Sequence, residues 1–433
     1  GQGTLTGLAQ LVTEELECDW SKVRTEYPTP GQNLSRDRVW GSFATGGSRG
    51  IRGSHRYVRP GGALAREMLI EAAADAWGVR IDECTASASV ITHNPTGRTT
   101  TYGKVAASAT VIEPPFEVEL KDPKDWKIAG KPVKRLDTVD KLNGKQVFGA
   151  DLQLPGMLNA AIKACPVFGG KLGSFDPSAV QNMPGVRTVL PVEGNAVAVI
   201  ADTWWQAKTA LDVLPINWDK GPNEDVSSET IEQMLDEGLS SKDALVGHKS
   251  GNAKKALQGA VKVVEATYRY PYQNHATMEP MNATARWTRD RCEVWCPTQN
   301  GEAALKATAK AAGLPIGQCD VYKIHLGGGF GRRGASDFVT QAVAIAKQLP
   351  GTPIKLLWTR EEDMQHGTYH PITKTKLVGG LNENGDLTGL HVRISGQSIR
   401  ASRDPKWPNN GIDSGNLDVV GRKFIEEDLF FLF

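Results

Sequence analysis

The stretch Gly327-Gly328-Gly329-Phe330-Gly331-Arg332-Arg333-Gly334 lies between an apolar run, Val321 to His325, and a helix opening at Ser336-Asp337 that carries Phe338, Ala342, Val343, Ala346 and Leu349. Strand, glycine-rich loop, helix is the order of an anion or cofactor site. Glycines let the backbone approach a ligand closely, and loop amides with a helix N-terminus favour negative charge. The loop is not GxGxxG, and no GxxxxGK[ST] follows it, so the dinucleotide and P-loop readings lose their specific support. A tight structural turn stays open as the alternative. The two arginines tilt the reading toward phosphate, which a guanidinium pairs bidentately.

Outward from this loop the pattern alternates helix and strand in three blocks. In the third, the strand Arg291 to Trp295 leads into Pro297-Thr298-Gln299-Asn300 and then a helix with Leu305, Ala309 and Ala312 that ends at Gly313. Ile354 to Trp358 reads as a strand. Lys374 to Val378 and Leu387 to Ser395 flank the turn residues Asn382 to Asp386, a hairpin signal. The middle block pairs Val186 to Leu190 with Ala196 to Ile200 around Glu193-Gly194-Asn195. There Thr203 caps a helix with Trp204, Ala207 and Leu211 on one face. Asn223 to Gly259 is polar and reads as a crossing linker. The first block opens on a helix spaced by Leu5, Leu8, Ala9, Val12 and Leu16, followed by a strand, Val23 to Tyr27. A glycine and arginine loop, Gly41 to Ser54, precedes a long helix after Pro60-Gly61-Gly62 that stops at Gly78. Cys84 to Thr92, a turn at Asn94 to Gly97 and a short helix from Val105 to Ala109 follow. Pro114-Pro115 and the charged stretch Lys121 to Lys127 mark a boundary. The expected division is 1–115, a linker 116–129, 130–245 and 246–433.

Composition narrows the classes. The chain has 433 residues, 40% hydrophobic and 23% charged, the balance of a globular protein. Fifty basic against forty-nine acidic side chains leave a formal charge of +1, so no nucleic-acid partner is expected. No apolar run approaches the roughly 20 residues that span a bilayer. The six cysteines form no CxxC pair and no zinc spacing; Cys292 and Cys296 alternate along a strand and read as buried small hydrophobes. His366 and His370 are four apart, but Gly367 and Pro371 argue against a helix, so no metal ligand set is expected. Ser48 and Ser54 lie outside any GxSxG elbow. The run Arg49, Arg52, Arg56 and Arg59 reads as phosphate-binding or as a solvated face. The chain opens on Gly1 and closes on an apolar cluster, Leu429 to Phe433, and reads as a segment of something longer.

Several motifs in a consistent order resemble one family. The Gly327 to Gly331 loop, preceded by Thr298-Gln299-Asn300 and by Asn274-His275-Ala276-Thr277-Met278-Glu279-Pro280, resembles the molybdopterin-binding subunit of the xanthine oxidase family. Ala198 to Ala207 resembles the strand–helix signature of its a/b hammerhead domain. Gly1-Gln2-Gly3-Thr4 resembles the tail of the Met-Gly-Gln-Gly cofactor motif, and Thr45-Gly46-Gly47-Ser48 the pterin loop after it. These lie before the glycine loop, the permuted order of the isoquinoline 1-oxidoreductase beta-subunit branch, which also holds aldehyde dehydrogenases.

The resemblance implies an α+β molybdenum-hydroxylase large-subunit fold, with hammerhead and molybdopterin-binding segments. It implies hydroxylation of an N-heterocycle or oxidation of an aldehyde, with oxygen from water. The molybdenum is held by a pterin dithiolene, so no protein metal ligand is needed, and the bacterial cofactor is the cytosine dinucleotide form. Gln299 would hydrogen-bond a molybdenum oxo ligand. Gly328, Gly329, Phe330, Gly331 and Arg332 would contact the cofactor, and Gln2, Gly3 and Thr4 with Gly46, Gly47 and Ser48 would hold the pterin and its phosphates. Electrons would pass to a two-iron two-sulfur subunit and onward to a cytochrome or flavin. Purine-oxidising members carry a Glu where this chain has Gly334, which removes the usual purine partner. The family's general-base Glu is expected outside this chain, so the piece alone is expected to be inactive, to bind cofactor weakly and to associate. The compartment stays open between periplasm and cytoplasm, and two alternatives stay open beside the family: a nucleotide-binding α/β dehydrogenase and a cofactor-free scaffold subunit.

Overall fold

Ala196–Ala201 reads Ala-Val-Ala-Val-Ile-Ala, and every one of its residues is buried. A strand needs such a composition when both faces of its sheet are covered. The computed structural model describes residues 3–41, 43–242, 244–398 and 429–432, and it covers both faces of this strand. Ala196, Ala198 and Ile200 join the core formed with helices Gly301–Ala312 and Asp337–Lys347. Val197, Val199 and Ala201 face the opposite core, under helix Trp204–Val213. The period of two along one strand thus feeds two cores.

Seven strands make this sheet, in the order Cys319–Lys323, Cys292–Cys296, Asn282–Trp287, Ile354–Leu357, Leu158–Ala164, Ala196–Ala201, Val186–Val192. The parallel pairing of Ile354–Leu357 with Leu158–Ala164 joins the second and third sequence blocks in one hydrogen-bonded layer. Three of the seven strands precede the expected cut at 245/246 and four follow it. Cys292, Cys296 and Cys319 lie in its core, and burial pushes the Cys292 and Cys296 thiols up to about 12, so they are inert small hydrophobes.

Helix Thr4–Leu16 lies along the longer helix His55–Trp77. Gly62 permits the crossing, since a Cβ there would meet the Val12 carbonyl oxygen at 2.7 Å. The long helix begins at His55, before Pro60, and carries that proline inside it. Beside it, Cys84–Ser87, Val90–His93 and Arg98–Thr101 form a three-stranded sheet. The expected single run from Cys84 to Thr92 is split by a turn at Ala88-Ser89, both at positive φ (48° and 65°).

Two other expectations are corrected. Val23 to Tyr27 is extended but pairs with no strand; it lies along helix Thr4–Leu16 across a groove of about 620 Å³. The expected linker Asn223 to Gly259 contains helices Ser228–Ser240 and Ala253–Gln258 and strand Leu245–His248. A capping box at Ser227 starts the first helix and Leu235 buries it, so the polar composition belongs to its solvent side. Both helices cover one face of the sheet built on Lys262–Tyr270, Thr373–Leu381 and Leu387–Gly396.

The expected linker 116–129 is held against helix Thr4–Leu16. Glu14 and Glu15 are buried on helix Thr4–Leu16. Glu14 Oε2 accepts from the amides of Lys127, Ile128 and Ala129 at 2.9, 2.6 and 3.1 Å, and its Oε1 faces Lys121 Nζ at 3.0 Å. Glu15 takes the Lys121 amide at 3.1 Å and Arg59 at 2.7 Å. Arg59 is accordingly an internal partner, not part of a phosphate-binding face.

Candidate functional site

Gln299 is the point at which distant segments meet. It follows strand Cys292–Cys296 and precedes helix Gly301–Ala312, which Asn300 caps through the Ala303 amide. Its main chain is fixed on both sides. The Gln299 amide donates to Arg333 O at 2.9 Å, and its carbonyl accepts from the Thr45 amide at 2.7 Å. Ala44 and Asn300 form an antiparallel bridge beside it. The side chain spans the same two segments: Gly331 N donates to Oε1 at 3.0 Å, and Nε2 donates to Thr45 O at 3.3 Å. A carboxamide nitrogen carries two hydrogens, so one donor of Gln299 is left over from this pair of contacts.

The glycine loop is shaped by close approach and by handedness. A Cβ on Gly329 would lie 2.6 Å from Gln299 Oε1, so only glycine lets the loop cross the glutamine. Gly328 and Gly331 both sit at φ 106°, a conformation that L side chains rarely adopt. Phe330 between them is held at φ 52°, and its ring is largely exposed.

Both arginines after the loop turn inward, which corrects their reading as phosphate partners. Arg332 is fully buried, with Nη1 and Nη2 on the two Asp337 oxygens at 2.9 and 2.6 Å and its guanidinium 5.4 Å from the centre of the Trp358 ring. Arg333 donates to Gly328 O at 2.8 Å and to Glu279 O and Oε2 at 2.7 and 3.1 Å. Burial lowers the Arg333 pKa against the pull of Glu279. Glu279 also takes the amides of Ala150 and Gly327, both at 2.9 Å. The Asn274 to Pro280 segment thus braces the loop through Glu279.

The N-terminal motif reaches the same place by contact. Gly3, at φ 73°, is the N-cap of helix Thr4–Leu16, and Gly7 in that helix faces Ile51, whose Cδ1 would lie 2.7 Å from a Gly7 Cβ. Ile51 belongs to the short helix Arg49–Arg52, whose N-cap is Ser48 at φ 54°. Arg49 N donates to Gly46 O at 3.1 Å and Arg52 Nη2 to Gly47 O at 3.2 Å. Thr45 then binds Gln299. Gly3, Thr4, Gly46, Gly47, Ser48, Gln299 and Gly328 to Gly331 are therefore linked by one unbroken path of contacts; Gln2 lies outside the described residues.

Sequence reasoning missed a second buried group nearby. Helix Arg360–Gln365 carries Glu362 and Asp363 inward. Glu362 Oε1 accepts the Ala164 amide at 2.9 Å and lies 3.7 Å from His366 Nε2. Burial pushes the Glu362 carboxyl up to about 8 and the His366 imidazole down. The only local sign was Thr359, which caps the Glu362 amide. Among the described residues no cluster of three or more His, Cys, Asp or Glu could hold a metal, and no helix is long and apolar enough to cross a membrane.

Known proteins share these features. A family model described as "Molybdopterin cofactor-binding domain" matches residues 239–399, and a second of the same description matches residues 1–143. The chain is 29% identical over 439 residues to the membrane-bound aldehyde dehydrogenase [pyrroloquinoline-quinone] of Gluconacetobacter polyoxogenes, covering 96% of this chain and 55% of that one. It is 28% identical over 469 residues to the isoquinoline 1-oxidoreductase subunit beta of Brevundimonas diminuta, covering 96% and 59%. It thus spans somewhat more than half the length of these two relatives. Quinoline 2-oxidoreductase from Pseudomonas putida 86 shares the fold over 61% of this chain and 39% of its own, at 18% identity and a TM-score of 0.50.

Proposed function

We propose, from the premise that this chain belongs to the xanthine oxidase family of molybdopterin-binding subunits, that it forms the cofactor cradle of a molybdenum hydroxylase. Its substrates are N-heterocycles or aldehydes. The observation that carries this reading is the meeting of the Thr45 segment and the Gly329 to Gly331 loop on Gln299, with the helix that Gly3 caps packed on Ile51 in the short helix that follows Thr45. The cradle fits the group. Gly329 brings the loop backbone against Gln299, where a Cβ would meet Oε1 at 2.6 Å, and Gln299 keeps one N–H to donate.

Gly3, Thr4, Gly46, Gly47 and Ser48 hold the pterin and its phosphates, and the amides of Gly328 to Gly331 line the loop side. Gln299 would use its remaining N–H to hold an acceptor on the bound group. Arg332 and Arg333 act through the loop they brace rather than by touching phosphate. The cofactor takes the cytosine dinucleotide form, and electrons leave to a two-iron two-sulfur partner, then to a cytochrome or flavin. When bound, the group supplies a two-electron oxidation that places oxygen from water on a substrate carbon. Proton transfer there requires a carboxylate in reach. Glu279 is engaged by Ala150, Gly327 and Arg333, and Glu362 by the Ala164 amide, and the resemblance to the family implies a base outside this chain.

The complete subunit, expressed with its partner, tests this reading by molybdenum content and by the fluorescence of the oxidised pterin. Gln299→Ala keeps the molybdenum while turnover falls about 10²-fold, the size of one lost electrostatic donor. Stoichiometric adenine nucleotide with no pterin would overturn the reading in favour of a dehydrogenase. A protein with neither would be a scaffold.

A further inference from the structure

We propose that strand Lys262–Tyr270 is a self-pairing edge through which two copies of this chain join, antiparallel, with Thr267 on the two-fold axis. The inference stands apart from the cofactor reading. Lys262–Tyr270 ends its sheet, and among the described residues it pairs with Thr373–Leu381 and no second strand. An edge strand offers its outer row of amides and carbonyls to another chain. Proteins blunt such edges with short length, a bulge, a proline or charge. This edge runs nine residues in unbroken register and exposes every residue but Ala266. Its proline, Pro271, comes only after the strand. Charge is the device it does carry, in Lys262, Glu265 and Arg269, and charge both repels wrong partners and selects a matching one.

The order of the side chains is what selects a second copy. Two antiparallel strands related by a two-fold axis have that axis perpendicular to the sheet, so each residue meets one from the same face. Alternation puts Val264, Ala266, Tyr268 and Tyr270 on one face and Val263, Glu265, Thr267 and Arg269 on the other. With Thr267 opposite its own copy, Glu265 of each chain faces Arg269 of the other. On the opposite face Val264 meets Tyr270 and Ala266 meets Tyr268, aliphatic against aromatic. Moving the axis to Ala266 or Tyr268 leaves neither Glu265 nor Arg269 opposite a charge. Moving it to Glu265 or Arg269 sets like charges face to face.

Both charges can serve this pairing without leaving their own chain. Glu265 lies 2.6 Å from Lys376 and Arg269 3.0 Å from Glu232, yet their side chains remain 53% and 52% exposed. A carboxylate and a guanidinium each hold more than one partner at once. Val264, Tyr268 and Tyr270 are all exposed, and the pairing takes their apolar surface out of water twice over.

The test is analytical ultracentrifugation of the complete subunit as wild type, as Glu265→Arg, as Arg269→Glu and as an equimolar mixture of the two variants. The wild type dimerises. Each variant alone places two like-charge pairs across the axis and weakens the dimer about tenfold or more. The mixture regains the wild-type Kd, because each substituted charge then faces the other and each native charge faces its native opposite. Contacts within each chain are the same alone and in the mixture, so a folding defect cannot imitate this recovery. Amide exchange over 262–270 slows as wild-type concentration rises through the Kd. A wild type still monomeric at about 100 µM, a dimer indifferent to both substitutions, or a mixture as weak as its components would overturn the inference. A monomer whose 262–270 amides are protected at every dilution would overturn it in favour of an occupant within the longer subunit. Molybdenum content decides the cofactor reading and bears on none of these outcomes.

Discussion

Gly329→Ala is the most direct probe of how the loop and the glutamine fit. Gly329 does not have positive φ, so alanine is allowed by its backbone, and the whole penalty comes from contact. The new Cβ would lie 2.6 Å from Gln299 Oε1 and 2.9 Å from Cδ. A free glutamine would swing aside at little cost. Gln299 is tied at both ends, by Gly331 N at 3.0 Å and Thr45 O at 3.3 Å. Moving it breaks one or two hydrogen bonds worth about 0.5–1.5 kcal/mol each. The expected loss of stability is about 1–2 kcal/mol. In a Gln299→Ala background the obstacle is gone, and the same substitution should cost under about 0.5 kcal/mol. Urea unfolding of the four proteins of this cycle then gives a coupling of about 1–2 kcal/mol, with m unchanged. Gly194→Ala is the control: its φ is 75° with nothing within 4 Å, so its cost is conformational and the same in both backgrounds. Additivity of Gly329→Ala and Gln299→Ala within about 0.3 kcal/mol would refute the contact on which the cradle is built.

Glu362→Gln should flatten a pH dependence. A carboxyl raised from 4.5 to about 8 keeps its proton in the folded state alone between those values, so stability is greatest at low pH and falls as pH rises toward 8. The lowered His366 acts in the opposite sense up to about 6.5, which leaves the window 6.5–8 to Glu362. Wild-type protein should lose up to about 1.4 kcal/mol per pH unit there, the variant almost nothing; equal slopes in chemical denaturation would contradict the assignment. Glu14→Gln should cost about 2–3 kcal/mol, because a neutral amide cannot replace a carboxylate receiving three main-chain donors and Lys121. Burial raises the Glu14 pKa, but those hydrogen bonds outweigh it and the net shift is downward, so its contribution is complete above about 4.5 and disappears as pH falls through the folded value. Acid titration of Tm should show that loss in the wild type and not in the variant.

What could be read from the sequence was whatever is decided by neighbours along the chain. The strands around Glu193-Gly194, the Thr203 cap, the helix ended by Gly313 and the hairpin at Asn382 to Asp386 all appear in the structure, because period and turn chemistry are local. Asn223 to Gly259 misled because its Ser, Asp and Lys residues are the solvent side of helices whose buried side is narrow. Val23 to Tyr27 has the composition of a strand but no strand beside it to complete a ladder. At the site, residue types were legible and directions were not. Arg332 and Arg333 read as phosphate ligands because nothing local indicates that Asp337 and Glu279 claim them. The roles of Glu14 and Glu15 are not legible along the chain, since Lys121, Lys127, Ile128 and Ala129 lie more than a hundred residues downstream and Arg59 forty-four. The strain at Phe330 is likewise invisible until the loop closes.

The bond between Gln299 and Thr45 joins residues 254 positions apart, whereas Glu14 finds its farthest partner after 115. On the ribosome these distances become times. At about 5–20 residues per second, the helix that starts at Thr4 can be clamped within about 6–23 s of its own synthesis, while Thr45 waits about 13–50 s for Gln299 to exist. The first block can therefore be assembled before the contacts of Gln299 form, and the one from Gly331 waits longer still. Until then Thr45 stands without its Gln299 partner on a framework whose first helix is already clamped.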